Sequence, residues 1–371
     1  GLFVKTLANL KNANTGFHDI DNLVTFQVDA ALNGYSVPRV QAFYRQALDG
    51  IRGLPGVNSA SYALLPVLAG NEWDSGMSVE GHQAKDGEDM QAFMNAISPE
   101  YFRTMGVPLL EGRDFDDRDA GKEMTKAIVN RAFARHFFGN RSPVGRHIGF
   151  GQGPRSKLTI EIVGMVENSL YEGPREGVHR QVFVPFAQAD YPGAVAFYVR
   201  ATRESAAMLH AVRAKIAELD PAMPIYGMKT LEQQLDETLS TERLIAILSA
   251  AFGVLATVLA AIGLYGVMAF VVARRTKEIG LRMALGARRA EVVWMVLKDS
   301  LVLLGIGLAL GVPAAFLSSR YVATQLYNVR ANDVWSALAA LVILAAVAAG
   351  AGFLPARRAS TIDPIVALRY E

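Results

Sequence analysis

Thirty consecutive residues, Leu244 to Ala273, carry no charged side chain, and no other feature constrains the chain's fold as tightly. A helix needs roughly 20 apolar residues to cross a hydrocarbon core about 30 Å thick, whereas shorter apolar runs of about 10–14 are typical of buried helices in soluble proteins. The run therefore predicts a spanning helix near 244–273. Two further uncharged runs, at 300–319 and 334–356, predict a second and a third span. Before residue 244 the chain mixes charged, apolar and turn residues as soluble domains do. The expected fold class is an α+β extramembrane domain followed by an all-α membrane domain of three transmembrane helices.

Basic residues in short loops favour the cytoplasmic side of a membrane. Arg274, Arg275, Lys277, Arg282, Arg288, Arg289 and Lys298 lie between the first and second spans, and Arg357, Arg358 and Arg369 follow the third. Only Arg320 and Arg330 lie between the second and third. The loop after the first span and the C-terminus are thus expected inside, with the large domain outside. In this scheme the apolar stub Gly1–Val4 reads as the end of a missing span, the first of four, with residues 1–17 holding that end and a connector. None of the three spans contains Asp, Glu, Lys, Arg or His. Helices that carry ions or polar solutes usually use such groups, so these are expected to pack and move without forming a polar conduit. Gly307 and Gly311 give a GxxxG pattern suited to close helix approach, and Pro313 should bend the second span.

The net charge of +2 gives no basis for nucleic-acid binding. The absence of cysteine excludes thiol nucleophiles and cysteine zinc sites. Gly149 to Pro154 is glycine-rich but lacks the GxxxxGK[ST] pattern that cradles phosphate, and reads as a turn between strands. Asp114, Asp116, Asp117, Asp119 and Glu123 resemble a calcium loop in density only: an EF-hand register beginning at Asp116 places Ala127 where the bidentate glutamate belongs. A solvated acidic loop is the expectation. His18, His82, His136, His147, His179 and His210 never recur at metal-ligand spacing. No catalytic residue, metal site or cofactor is expected.

In the extramembrane part, Val24, Phe26 and Val28 alternate as in a half-buried strand, and Val40, Phe43, Tyr44, Ala47, Leu48 and Ile51 recur at helical spacing. A strand over Val57–Leu64 completes the unit. The order returns with a strand at Val195–Val199, a helix marked by Leu209, Val212, Ile216 and Leu219, and a strand from Pro224. Two like units far apart predict a pseudo-symmetric subdomain, with halves at 18–69 and 182–230, interrupted by an insertion at 70–181. Within the insertion the pattern predicts a helix at Pro99–Met105 capped by Ser98, a strand at Ala127–Val129, a helix at Arg131–Phe138 and a strand at Thr159–Val166. Leu231, Leu235 and Leu239 recur every four residues and predict a helical stalk over 231–243.

The stretch Arg274 to Ala287 is amphipathic and too charged to span. Its spacing alone fits either a basic helix lying on anionic lipid or a docking helix with Ile279 and Met283 one turn apart on a contact face. Here the sequence resembles the MacB/FtsX-like permeases of ABC transporters. Glu278 to Ala287 resembles the family's coupling segment, and Pro355 to Ser360, Asp363-Pro364 and Ala367 to Glu371 resemble its C-terminal signature. Ser98 to Phe102, Gly112 to Phe115, Val129 to Ala134 and Ile162 to Val166 are similar to the MacB periplasmic core.

The resemblance implies a split Porter-like subdomain with an inserted Sabre-like one, on an FtsX-like membrane domain at 244–371 in a bacterial inner membrane. It implies that a cytoplasmic ABC ATPase grips Lys277, Glu278, Ile279, Gly280, Arg282, Met283, Ala284 and Gly286. The further partners it implies are a second permease unit, as a homodimer or a duplicated copy, and a periplasmic adaptor or outer-membrane protein. An ATPase domain such as MacB carries at its N-terminus is not seen here. The expected function is mechanotransmission in efflux or export by a subunit that is not itself an enzyme. The alternatives are an FtsX-like regulator of a periplasmic cell-wall hydrolase and a lipoprotein-release permease.

Overall fold

The computed structural model describes residues 2–121, 123–151, 156–189, 193–202, 206–285, 288–322 and 334–359. Two compact units divide the chain, one of Lys11–Leu239 and the other of residues up to Leu10 together with those from Ser240 onward. In chain order the elements are α1 (Leu2–Lys11), β1 (Leu23–Val28), α2 (Val37–Arg52), β2 (Val57–Ala63), β3 (Asp74–Val79), β4 (Gln91–Ile97), α3 (Tyr101–Met105), β5 (Leu109–Gly112), β6 (Lys126–Asn130) and α4 (Arg131–Phe138). There follow β7 (His147–Phe150), β8 (Ile160–Val166), β9 (Gln181–Pro185), β10 (Val195–Ala201), α5 (Ala206–Leu219), β11 (Ile225–Thr230) and α6 (Leu231–Thr238). The last helices are α7 (Ser240–Arg274), α8 (Thr276–Ala284), α9 (Arg289–Val322) and α10 (Val334–Ala359).

In the first unit, the described strands form one sheet in the order β11-β1-β10-β2-β4-β3-β7-β8-β6-β9, with β5 on β8. Each of the first four strands runs antiparallel to its neighbours among them. They come from two strand–helix–strand units, β1-α2-β2 and β10-α5-β11, interleaved so that β1 lies between β10 and β11. This is the ferredoxin-like βαββαβ arrangement, and α2 packs on α5. Between β2 and β10, β9 pairs in parallel with β4 and antiparallel with β6, so that β4, β3, β7, β8, β6 and β9 close into a ring. Gln181–Pro185 therefore runs with the inserted strands.

Strand side chains alternate between faces. Met77 and Val79, Ala92, Met94 and Ala96, Ala127 and Val129, Ile160 and Ile162, and Val182 and Val184 accordingly join the core at every second position. The same core includes an aromatic cluster of the ferredoxin-like half. Phe26 and Phe197 stack with centroids 5.3 Å apart, and Tyr62 sets its ring edge-on to Phe186 at 5.0 Å. Tyr44, fully buried, accepts from Ala30 N at 3.1 Å and donates to the Gly193 carbonyl at 2.8 Å. Burial pushes its hydroxyl pKa well up, so it stays a neutral donor.

Two local expectations change. The helix expected from Pro99 begins at Tyr101, after Glu100 in the left-handed region at φ 64°. Ser98 does not cap it, because its Oγ accepts from Tyr62 N at 2.9 Å and so serves the β2–β4 junction. The acidic run is held internally as well. Asp119 is buried and takes both guanidinium nitrogens of Arg113, at 2.6 and 2.8 Å, together with the Asp116 amide at 3.0 Å. Arg118 binds Asp116 from the other side. The Asp116 and Asp119 carboxylates are engaged by arginines, and no group of the described residues is arranged to hold a metal ion.

In the second unit, α7 is 35 residues long and, among the described residues, is the helix long and apolar enough to cross a membrane. Its most apolar stretch is only 6% buried. A core helix of a soluble protein would be mostly covered, yet Phe252, Leu255, Leu259, Ile262 and Phe270 are all exposed. Shorter apolar stretches lie at Leu301–Ala315 in α9 and Leu338–Ala351 in α10. Pro313 sits inside α9. Gly307 and Gly311 have open space where a side chain would project. α10 packs on both α7 and α9.

Two outcomes are expected from this packing. Phe197→Ala should cost about 3–5 kcal/mol by emptying the aromatic cluster, read as a lower denaturant midpoint of the first unit in the solubilised chain. Burial raises the Asp114 carboxyl to about 6, while the Arg113 guanidinium holds Asp119 below the usual carboxylate range. Asp114 thus takes up a proton in the folded chain between about pH 6 and 4, and its contribution favours the fold as pH falls through that window. Asp119 does the reverse, losing its stabilising effect at still lower pH. Asp114→Asn should raise the unfolding midpoint at pH 7 and abolish its own share of the gain between pH 6 and 4.

Candidate coupling site

The segment between α7 and α9 carries the sequence-marked coupling residues. At its entry the helical hydrogen bonding continues past the break at Arg275, whose amide reaches the Val271 carbonyl at 3.1 Å; Ile279 N then bonds the Arg275 carbonyl at 3.0 Å. α8 is thus tied to the end of α7 through backbone bonds. Lys277, Glu278 and Arg282 are exposed. Glu278 Oε1 and Arg282 Nη2 pair at 2.7 Å one turn apart, each about half exposed. Such a surface pair contributes little to stability, so it leaves a charged pair available at the surface. The Arg282 guanidinium also donates to Met295 Sδ on α9.

Ile279, expected on a contact face, is 1% exposed and turns into its own unit. The exposed apolar side chains are instead Leu281 and Leu285, at 53% and 80%. Gly280, Met283 and Ala284 lie on α8, whereas Gly286 falls outside the described residues, as does the C-terminal motif from Ser360 onward. Sequence spacing missed the Arg282–Met295 contact and the exposed Trp294.

In the other unit, residues distant in sequence meet. His82 and His136 both reach Glu88 Oε1, at 3.0 and 3.3 Å. The Arg180 guanidinium lies 3.1 Å from His136 Nε2, and together with burial it keeps that imidazole below its ordinary pKa. His147 is bound to Glu80, whose carboxyl is held down to about 2 by Arg146 and by the His147 amide. Gly149 and Gly151 lie where the chain passes from β7 toward β8, and a Cβ at Gly149 would meet the Lys157 carbonyl at 2.1 Å. Its glycine serves close backbone packing.

α6 closes the first unit. Thr230 and Gln233 form a reciprocal capping box at its start. Leu231, Leu235 and Leu239, the expected stalk stripe, are buried, so α6 is packed into the first unit. Lys11 pairs with Asp236 at 3.2 Å, tying the first residue of this unit to its last helix.

Comparison with known proteins places these features in one family. Residues 6–219 match the MacB-like periplasmic core domain, and residues 250–364 match the FtsX-like permease C-terminal domain. The macrolide export ATP-binding/permease protein MacB of Bdellovibrio bacteriovorus is 27% identical over 299 residues, covering 74% of this chain and 43% of that protein. The protein of the same name from Vibrio parahaemolyticus is 25% identical, covering 76% of this chain and 43% of its own length. The chain thus spans less than half the length of these curated relatives. The periplasmic region of MacB from Actinobacillus actinomycetemcomitans aligns with 63% of this chain and 97% of its own, with 13% identity and a TM-score of 0.39. With more than half of its length matched by the MacB-like core and most of the remainder by the FtsX-like domain, the chain belongs to the MacB/FtsX-like permeases of ABC transporters.

Proposed function

We propose that this permease works by mechanotransmission: a cytoplasmic ABC ATPase grips α8, and its ATP-driven closure moves α7 and, through the chain at Leu239, the outer domain. The observation that carries the reading is the construction of α8. It presents the exposed Glu278–Arg282 pair beside exposed Leu281, while Ile279 anchors it inside its own unit and backbone bonds tie it to α7. A helix held rigidly from behind and charged in front suits force transfer better than one lying loosely on lipid. In this reading Lys277, Glu278, Arg282 and Leu281 meet the ATPase. Gly280, Met283, Ala284 and Gly286 belong to the same segment, and Ile279 acts from beneath.

The proposed setting is the bacterial inner membrane, with Lys11–Leu239 in the periplasm and the C-terminus in the cytoplasm. α7, α9 and α10 serve as three spans. The strands β1, β2, β10 and β11 with α2 and α5 make the Porter-like subdomain, and the ring of inserted strands makes the Sabre-like one. The relatives' names carry macrolide export, and efflux or export of a molecule handled outside the membrane is the function proposed here. A second permease unit, and a periplasmic adaptor or outer-membrane protein, complete the proposed assembly. The chain itself supplies no catalytic group in this mechanism.

The test is charge reversal at the pair. Glu278→Arg and Arg282→Glu should each cut ATP-dependent transport at least tenfold, with the outer domain's unfolding midpoint unchanged, and the double variant should recover part of any interaction between the two positions themselves. Transport at the unmodified level in both single variants would remove α8 as the ATPase's grip.

A further inference from the structure

Residues Leu64–Gly70, which join β2 to β3, form neither helix nor strand, yet eight of their backbone polar groups are bonded to other parts of the first unit. Leu64 N donates to the Ala96 carbonyl of β4 at 2.8 Å. Leu65 is bracketed by the Asn95 side chain, whose Oδ1 accepts from Leu65 N at 3.0 Å and whose Nδ2 donates to Leu65 O at 2.9 Å. Val67 N donates to the Tyr198 hydroxyl of β10 at 2.9 Å. Leu68 N reaches the Tyr171 carbonyl at 2.8 Å, and Gly70 N the Glu172 carbonyl at 3.4 Å.

Two further carbonyls of the segment go to α6. Gln234 Nε2 donates to Val67 O at 2.6 Å, and Thr238 Oγ1 donates to Leu68 O. Val67 and Leu68 are buried, Leu68 with φ +56°, a left-handed conformation that leucine adopts only under surrounding constraint. Val67 therefore holds α6 through its carbonyl and β10 through its amide, while its neighbour Leu65 holds β4. One short segment touches the last helix, the ferredoxin-like half and the inserted ring together. Buried backbone groups must keep their partners, so a shift of α6 that preserves these bonds has to carry the segment along.

We infer that Leu64–Gly70 is where movement of α6, which also packs on β1 and β11, is passed to the inserted ring and to β10 together, with Gln234 and Thr238 as the positioning residues that hold α6 to it and Asn95 and Tyr198 as the outlets to the two lobes. This rests on the proposed mechanotransmission for its purpose, but the linkage itself is a property of the first unit. The inserted ring and the ferredoxin-like half would be driven from one place and would move in concert.

Amide hydrogen exchange of the full chain in lipid nanodiscs, without ATPase or nucleotide, tests the linkage separately from the docking of α8. The combined variant Gln234→Ala/Thr238→Val should raise exchange at least tenfold in Leu64–Gly70 and also in the peptides that contain Asn95–Ile97 and Val195–Ala201. Thr238→Ser, which keeps the donor, should behave as the parent chain. Lys11→Ala, which loosens α6 at Asp236 without touching the segment, should leave those distant peptides unchanged. Faster exchange confined to α6 in the combined variant, or the same spread from Lys11→Ala, would overturn the inference. Loss of transport on altering Glu278 with the exchange pattern intact would leave it standing, and the reverse pairing of results would remove it alone.

Discussion

A helix of 35 residues with its apolar surface uncovered has to be solvated by something other than water. α7 sets this condition, and the rest of the chain is arranged around it. At roughly 25 cal/mol per Å² of apolar surface, exposed rows containing Phe252, Leu255, Leu259, Ile262 and Phe270 would strongly disfavour an aqueous monomer. Within a bilayer the same surface costs nothing, and the backbone, bonded within the helix, needs no outside partner. Charge then collects at the helix ends, at Glu242 and Arg243 before the run and at Arg274 and Arg275 after it.

The proposed lever follows from what the helix ends are attached to. At one end backbone bonding runs from Val271 through Arg275 to Ile279, so α8 has little freedom to turn independently of α7. At the other, one residue separates α7 from α6, and α6 is fixed within its own unit by buried leucines, a capping box and side-chain bonds to Val67 and Leu68. Neither attachment depends on exposed ion pairs, which solvent and salt weaken. The proposed spans at 244–273, 300–319 and 334–356 lack ionisable side chains, and this accords with the proposal that work is done outside the membrane.

Much of the fold was legible where periodicity is strong. The six elements β1, α2, β2, β10, α5 and β11 follow from Val24, Phe26 and Val28, from the α2 stripe, and from their counterparts near Val195 and Val212, because apolar residues recur there at strand or helix spacing, although β1 and β10 are buried on both faces. Of the inserted strands, β6 and β8 were legible, but β3 and β4 were harder to read. Asp74–Val79 and Gln91–Ile97 are poor in β-branched residues and rich in Ser, Gly, Met and Ala, and they are strands because of the neighbours they acquire on closing the ring. Ser98 looked like a helix cap since its local pattern is sound, but a distant amide, Tyr62 N, took its hydroxyl. The segment between α7 and α9 was visible as a basic amphipathic stretch, while the inward turn of Ile279 was not: one-turn spacing between Ile279 and Met283 defines a face without saying which way it points. The role of Leu64–Gly70 left no sequence signal at all, because its bonds are made by backbone atoms.

The central claim is that α8 and the outer domain lie on opposite sides of one membrane, joined by α7. The chain has no cysteine, so single cysteines can be introduced at Lys277 and, separately, at the exposed Leu32, and treated in intact cells and in inverted vesicles with a membrane-impermeant maleimide. The account expects Leu32→Cys to react from outside and Lys277→Cys only in inverted vesicles. Reaction of both from the same side would contradict it.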